Sequence, residues 1–379
     1  MGCTVSSPSQ HAARVKIGHN DPWVIVGPVV GAVSTHSARI LLEVDTDCEI
    51  TPKCVPEPEA TPESFDLKAG APVTITLTGL TPDQGYVVTF AGAKPQPTAT
   101  AARFTTQPVE APRAVRIAAV SCNKVLWDRD GATDVWAHLA NRCAAGDFDL
   151  VLHLGDQVYG DSDHVLHDAD GNRVADGTDP DRAGLDKMKD EEKQASAYMQ
   201  GLQLIAGLPS DEWWSHSKAI RELYRDIYRQ TWSKNATATV LCSQMNAMVL
   251  DDHEIVDDWG DTDEDKSVGK GPPYTARTFV ALQAYGVYRE YQMSLRENVS
   301  PLALGPSSAP SDGLGPPAFS MFSVNQHVGV AMLDIRACHS FHADGSEQKR
   351  PYLGDEQVRL RRCMACSNAD GPQLLTRSD

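Results

Sequence analysis

The sequence predicts a layered α/β domain preceded by an all-β sandwich. Three observations carry this prediction. From Arg113 onward, short apolar runs alternate with helical patterns, as expected of strands covered by helices. Polar residues gather directly after the apolar runs, where open α/β sheets bind their ligands. Before Gln107 the pattern is one of short β-rich segments broken by Gly and Pro.

The β-rich part covers residues 23–107. Trp23-Val24-Ile25-Val26-Gly27-Pro28 opens a strand, and Ser37–Val44 is a second. Val73-Thr74-Ile75-Thr76-Leu77 alternates with the period of a half-buried strand. The four prolines of Thr51–Pro62 predict a loop. Leu80-Thr81-Pro82-Asp83-Gln84-Gly85-Tyr86 resembles the tyrosine corner of fibronectin type III and immunoglobulin-like domains, where a Tyr hydroxyl ties down a sandwich corner. Gln107–Pro112 reads as a linker to a second domain at 113–379.

In that second domain Val115–Val120 is a strand ending in Ser121-Cys122-Asn123. An amphipathic helix follows, with Val135, Leu139 and Cys143 on one face. Asp149–Leu154 is a second, buried strand ending at Gly155-Asp156. Residues 218–232 read as a helix whose apolar positions are Ile220, Leu223, Tyr224, Ile227 and Tyr228. Met245–Leu250 is a third strand, running into Asp251-Asp252-His253-Glu254. Ala276–Tyr291 is a further helix, and Val328–Leu333 a fourth strand ending at Asp334-Ile335-Arg336.

Composition narrows the function. The 379 residues carry a formal net charge of −17, which disfavours nucleic acid as a stable partner, because phosphate backbones are held by clustered Lys and Arg. Nine Cys are few and odd in number, so free thiols in a reducing compartment are expected rather than a disulfide scaffold. No apolar run reaches the ~18 residues of a membrane span. The acidic stretch 161–194 reads as a solvated loop: in Asp168-Ala169-Asp170-Gly171-Asn172 the calcium-loop pattern fails at Arg173, where Gly is required. Cys363-Met364-Ala365-Cys366 is a single CxxC without a partner pair, which argues against zinc there.

Met1-Gly2-Cys3-Thr4-Val5-Ser6 fits the myristoylation pattern at Gly2, and Cys3 is placed for palmitoylation. Two acyl chains together anchor a protein stably. The expectation is an acylated, otherwise disordered tail at 1–22 on the cytoplasmic face of a membrane; an unmodified tail would leave the protein cytoplasmic.

The four strand-end groups invite one joint reading. They bring a thiol, a phenol, several carboxylates and an imidazole to one end of a sheet. A thiolate and a phenolate suit a transition metal such as iron, and carboxylates bridge to a harder ion. Two metals ~3.5–4 Å apart activate water and clamp a phosphoryl group. Taken singly, each residue has a plainer reading. Cys122 would be a buried small hydrophobe, Tyr159 a packed aromatic, Asp161 a loop cap, and Arg336 the structural ion-pair partner of Asp334.

The blocks together resemble a known family. Gly155-Asp156-Gln157-Val158-Tyr159 fits the G-D-x-x-Y block of calcineurin-like metallophosphoesterases, and Asp251-Asp252-His253-Glu254 is similar to the D-D-H-E block of their PhoD-like, or alkaline phosphatase D, members. Ser121-Cys122-Asn123 and Leu333-Asp334-Ile335-Arg336 resemble that family's first block and its L-D-x-R block. The preceding β-sandwich is also a family feature, so the resemblance covers about residues 23–360. It implies that Cys122 and Tyr159 bind a trivalent metal, Fe(III). Asp156 would bridge two metals, and Asp252, or Asp251 in a swapped arrangement, would bind the second, Ca(II), with Zn or Mn as other occupants. By the same resemblance His253 faces the substrate, stabilising the transition state or protonating its leaving oxygen, and Arg336 holds a phosphate oxygen. Asn123, Asp161, Asp251, Glu254 and Asp334 would support these ligands.

The family continues with further strands and a late G-D-x-H block, and no His follows His342 in this sequence. The expectation is therefore a calcineurin-like sheet sandwich whose C-terminal part is missing. Two functions follow. The first is hydrolysis of phosphomonoesters or phosphodiesters by a hydroxide that two metals activate. The second is a membrane-tethered pseudophosphatase that binds a phosphorylated ligand or a protein partner.

Overall fold

The computed structural model describes residues 21–59, 62–110, 113–124, 135–161, 196–260, 274–299 and 319–336. Gly2 and Cys3, the stretch 162–194 and the CxxC at 363–366 lie outside the described residues.

The first seven strands form two antiparallel sheets. One has the order β1 (Val24–Val33), β2 (Ser37–Val44), β5 (Val73–Thr78). The other runs β4 (Phe65–Leu67), β3 (Cys48–Val55), β6 (Gly85–Ala91), β7 (Ala102–Thr105). Val30, Ile40 and Leu42 of the first share an apolar cluster with Ile50, Tyr86, Val88 and Phe104 of the second. The Tyr86 hydroxyl accepts the Thr81 N–H at 2.9 Å, the bond a tyrosine corner needs.

The expected loop at Thr51–Pro62 is corrected by β3, which continues through Pro52 to Val55. The reason lies in the pairing. Strand β4 pairs only with Cys48–Ile50, so from Thr51 onward β3 has β6 on one side alone. A residue without an N–H is tolerated on such an edge.

Strands β8 (Ile117–Val120), β9 (Leu150–His153) and β10 (Met245–Met248) form a parallel sheet in the order β10-β9-β8. Its register sets Val120, His153 and Met248 side by side. The strands therefore end level, and the segments that follow them emerge together. Strand β8 is an edge, and Ile117 is exposed. The fourth expected strand joins a different sheet. Strand β12 (Val328–Met332) pairs antiparallel with β11 (Ser320–Val324), which the sequence reading did not find. Val330 and Met332 nevertheless pack in one apolar cluster with Leu150, Met245 and Val249.

Helix α1 (Val135–Ala144) buries Trp136, Leu139, Ala140 and Cys143. Leu139 and Cys143 lie on the inner face as expected, but Val135 is 68% exposed, because the larger Trp136 takes the inward place. Helices α2 (Ala197–Ile205) and α4 (Asn235–Ser243) were not expected from the sequence. Helix α3 (Ser217–Trp232) buries Ile220, Tyr224, Ile227 and Tyr228. Helix α5 (Ala276–Tyr291) starts at a Thr275–Thr278 capping box and is buried on all sides. Glu43 of β2, fully buried, accepts Arg229 Nε at 2.9 Å and Nη2 at 2.7 Å, and also the Tyr291 hydroxyl. This knot ties the β-rich part to α3 and α5.

Candidate metal centre

The turn after β9 begins at Gly155, whose φ is +110°. A Cβ there would lie 2.3 Å from Asp251 Cβ, so only glycine lets the two strand ends approach this closely. Asp156 and Cys122 both hold left-handed backbone, with φ of 55° and 60°. Non-glycine residues take that region at an energetic cost, and such strain collects at functional sites. Two backbone bonds join these turns: Cys122 N–H donates to Gly155 O at 3.2 Å, and Asn123 N–H to Asp156 O at 2.8 Å.

The side chains then converge on Asp156. Cys122 Sγ donates to Asp156 Oδ2 at 3.3 Å, and the Tyr159 hydroxyl donates to the same oxygen at 3.4 Å. Cys122 is exposed, so the buried-hydrophobe reading does not hold. Among the described residues, Asp156 Oδ1 is buried without a hydrogen-bond partner. Burial pushes the Asp156 pKa up, and the hydrogen bond from Cys122 opposes that. Ligand atoms of Asp156, Asp252 and His253 all lie within 4.8 Å of one another. Asp252, rather than Asp251, is the member of the acidic pair in this group.

Buried donors and acceptors hold these side chains in place. Glu254 is 1% exposed and takes four N–H groups. Gln157 N and Gln292 Nε2 reach one of its oxygens at 2.7 and 3.1 Å, and Asp156 N and Asp251 N reach the other at 3.2 and 3.0 Å. Glu254 thus clamps the turn after β9 to the turn after β10. Burial, with the nearby Asp156 charge, pushes its pKa up to about 7. Asn123 is buried, and its amide donates to Thr237 Oγ1 at 3.2 Å.

Arg336 reaches the acidic pair. Its Nε donates to Asp251, its Nη2 lies 3.2 Å from Asp252 Oδ1, and its Nη1 donates to Trp259 O at 3.2 Å. Asp334 accepts the backbone N–H of Arg336 at 3.0 Å. Two adjacent carboxylates repel each other, and the guanidinium fork is committed to them.

His253 sits between two acids. Its Nδ1 is 3.0 Å from both oxygens of Asp161, and its Nε2 is 3.6 Å from Asp257 Oδ1. Its ring lies 4.3 Å from that of Tyr159. Burial works against the imidazolium, yet the Asp161 hydrogen bond and charge, with Asp156 and Asp252, carry the pKa up to about 9. Asp161 also accepts the Asp257 N–H at 2.9 Å, so it caps a loop and orients the imidazole at once.

Several residues here escaped the sequence reading. Lys124 sets its ammonium 4.8 Å over the Tyr159 ring. Gln157, Gln292 and Asp258 hold the ligands from behind; they are polar residues without a motif spacing of their own, and only the fold brings them in.

A family model for PhoD-like phosphatases matches residues 117–370. The chain belongs to the PhoD-like phosphatase family. The PhoD-like match takes in every strand end that builds this centre. A solved structure described as that of PhoD is similar in fold, with a TM-score of 0.53 and 16% identity. The alignment covers 90% of this chain and 59% of that one, so this chain spans little more than half the length of that PhoD structure. A carbohydrate acetylesterase from Xanthomonas citri aligns over 71% of this chain and 75% of its own at 9% identity, and its TM-score of 0.19 supports no argument. No curated protein matches the sequence. Phosphatases are hydrolases, and the Asp156–Asp252–His253 group gives this PhoD-like chain a possible metal site.

Proposed function

We propose that this chain hydrolyses phosphomonoesters or phosphodiesters with the help of two metal ions. The observation that carries the reading is the convergence on Asp156. A thiol and a phenol meet at one of its oxygens, and the other oxygen is buried beside Asp252 and His253 without a hydrogen-bond partner among the described residues. A carboxylate left unsatisfied in this way is costly, and a cation relieves the cost. The donor set fits a metal pair of mixed character. Cys122 and Tyr159 would hold Fe(III), Asp252 would hold Ca(II), and Asp156 would be shared between them; Zn or Mn are alternative occupants. Such a pair, when bound, supplies an activated water and neutralises charge on the phosphoryl group.

The chain's own residues do the rest. His253 Nε2 holds a proton for the leaving oxygen, because Nδ1 is engaged by Asp161. Arg336 keeps Asp251 and Asp252 side by side despite their charges. The reading extends to three further features: a fibronectin type III or immunoglobulin-like sandwich at 23–107, the calcineurin-like layering of 113–379, and acylation of Gly2 and Cys3 tethering the chain to a cytoplasmic membrane face. A non-catalytic binding role is favoured by no observation at the site.

The test is turnover of nitrophenyl mono- and diesters by the purified chain loaded with iron and calcium, zinc or manganese. Metal-dependent turnover that disappears in Cys122→Ala and Asp156→Asn is the expected result. Turnover that survives in both variants contradicts the reading.

A further inference from the structure

We propose that His153 is a positioning residue for the Gly155–Asp156 turn, acting through the side chain of Gln157 as a latch that a proton operates. His153 ends β9 and is 1% exposed. Both of its ring nitrogens face amide oxygens: Nδ1 is 2.8 Å from Gln157 Oε1, and Nε2 is 2.9 Å from Asn246 Oδ1.

The orientation of each amide is set by what its nitrogen touches. Asn246 Nδ2 faces the carbonyls of Val30 and Leu241 at 3.0 Å and of Gln244 at 2.8 Å. Gln157 Nε2 donates to Gly155 O at 2.7 Å. Turning either amide would set its oxygen against a carbonyl oxygen. As they stand, both imidazole nitrogens must donate, which only the imidazolium does. When Nδ1 gives its proton to solvent, Nε2 keeps its bond to Asn246 and Nδ1 becomes an acceptor facing an oxygen. One amide then has to turn. Asn246 is held by three carbonyls and Gln157 by one, so Gln157 turns. It donates to the bare Nδ1 and releases Gly155 O. That carbonyl also receives the Cys122 N–H at 3.2 Å, so the latch bears on both turns of the centre.

The groups around the ring leave the decision to these amides. Val120 of β8 and Met248 of β10 are its register partners, and the Trp136 ring of α1 lies 6.1 Å away. None of them ionises. Cys143, in the apolar cluster that holds Trp136, stays a thiol because burial pushes it up to about 12. Glu254 is reached only through the Gln157 backbone N–H. Burial of the ring disfavours its charge, and the two amide oxygens favour it. Burial is the larger influence and lowers the pKa of the ring, whose two states differ in one hydrogen bond to the turn.

That the turn carries a metal ligand rests on the proposed function; the latch does not. The experiment is nitrogen NMR of the metal-free full chain, labelled in histidine and glutamine side chains, between pH 5 and pH 9. It involves no turnover, so its outcome stands whatever the ester assay gives. The expected result is loss of one His153 ring proton, with the Gln157 amide signals shifting at the same midpoint. In Gln157→Met that midpoint shifts to lower pH, because the imidazolium loses an acceptor. A ring fixed in one protonation state throughout overturns the latch. So does a titration that leaves the Gln157 amide unmoved, or a midpoint unchanged in Gln157→Met.

Discussion

Arg336 Nη2 lies 3.2 Å from Asp252 Oδ1, while the other oxygen of Asp252 accepts the Asp258 N–H at 2.7 Å. Asp252 is therefore oriented from two sides by groups that are not themselves ligands. Such partners tune metal affinity, and their loss typically weakens it ~10–100-fold. Arg336→Met is expected to weaken metal binding by that order, and Arg336→Lys by less, since it keeps the charge and loses the fork. Calorimetric metal titration of the two variants checks this. Wild-type affinity in Arg336→Met would remove Arg336 from the centre.

His253 is expected to titrate at about 9 in the metal-free protein. This is above the ordinary histidine value of about 6.5, so its pairing with Asp161 adds stability that is fully present below that value and is lost as the pH rises through 9. Asp161→Asn should bring the midpoint down and flatten stability over that window. Proton NMR of the imidazole, with denaturation at several pH values, reads both.

His253→Ala should do most damage to esters with poor leaving groups, because general acid catalysis contributes ~10²–10⁴-fold where the leaving oxygen needs a proton. Metal content should stay close to wild type. Equal loss for alkyl and nitrophenyl esters, together with lost metal, would reassign His253 to the structure of the turn.

Glu43→Gln leaves the Arg229 guanidinium short of its buried partner. A buried charge left without any partner costs about 3–5 kcal/mol; Glu222 and Asp226 still face Arg229, so urea denaturation should show a loss below that range. Tyr86→Phe removes one hydrogen bond at the sandwich corner, and a loss of about 1 kcal/mol is expected.

Much of this was legible in the chain. Strand β2 and helix α5 were read to the residue, because alternation and a capped apolar stretch declare themselves locally. Cys122, Asp156, Tyr159, Asp252 and His253 were legible because they sit at fixed offsets from strand ends. Strand β3 was not, since the permissive side of Pro52 depends on where β4 stops pairing. Helix α4 was also hidden: its sequence, Asn235-Ala236-Thr237-Ala238-Thr239-Val240-Leu241-Cys242-Ser243, carries weak helix formers and is held by packing on α1 and β1. The carboxylate partners of Arg336 were hidden for a related reason. Its sequence neighbour Asp334 looks like the partner, and only the fold brings Asp251 closer.

The proposed function turns on Asp156 as the bridge between two metal ions held by residues from separate strand ends. Metal content per chain, measured by mass spectrometry on wild type, Asp156→Asn and Cys122→Ala, tests it most directly. The account predicts that Asp156→Asn loses both metals, whereas Cys122→Ala loses the iron and keeps the other ion. Retention of both metals by Asp156→Asn would contradict it.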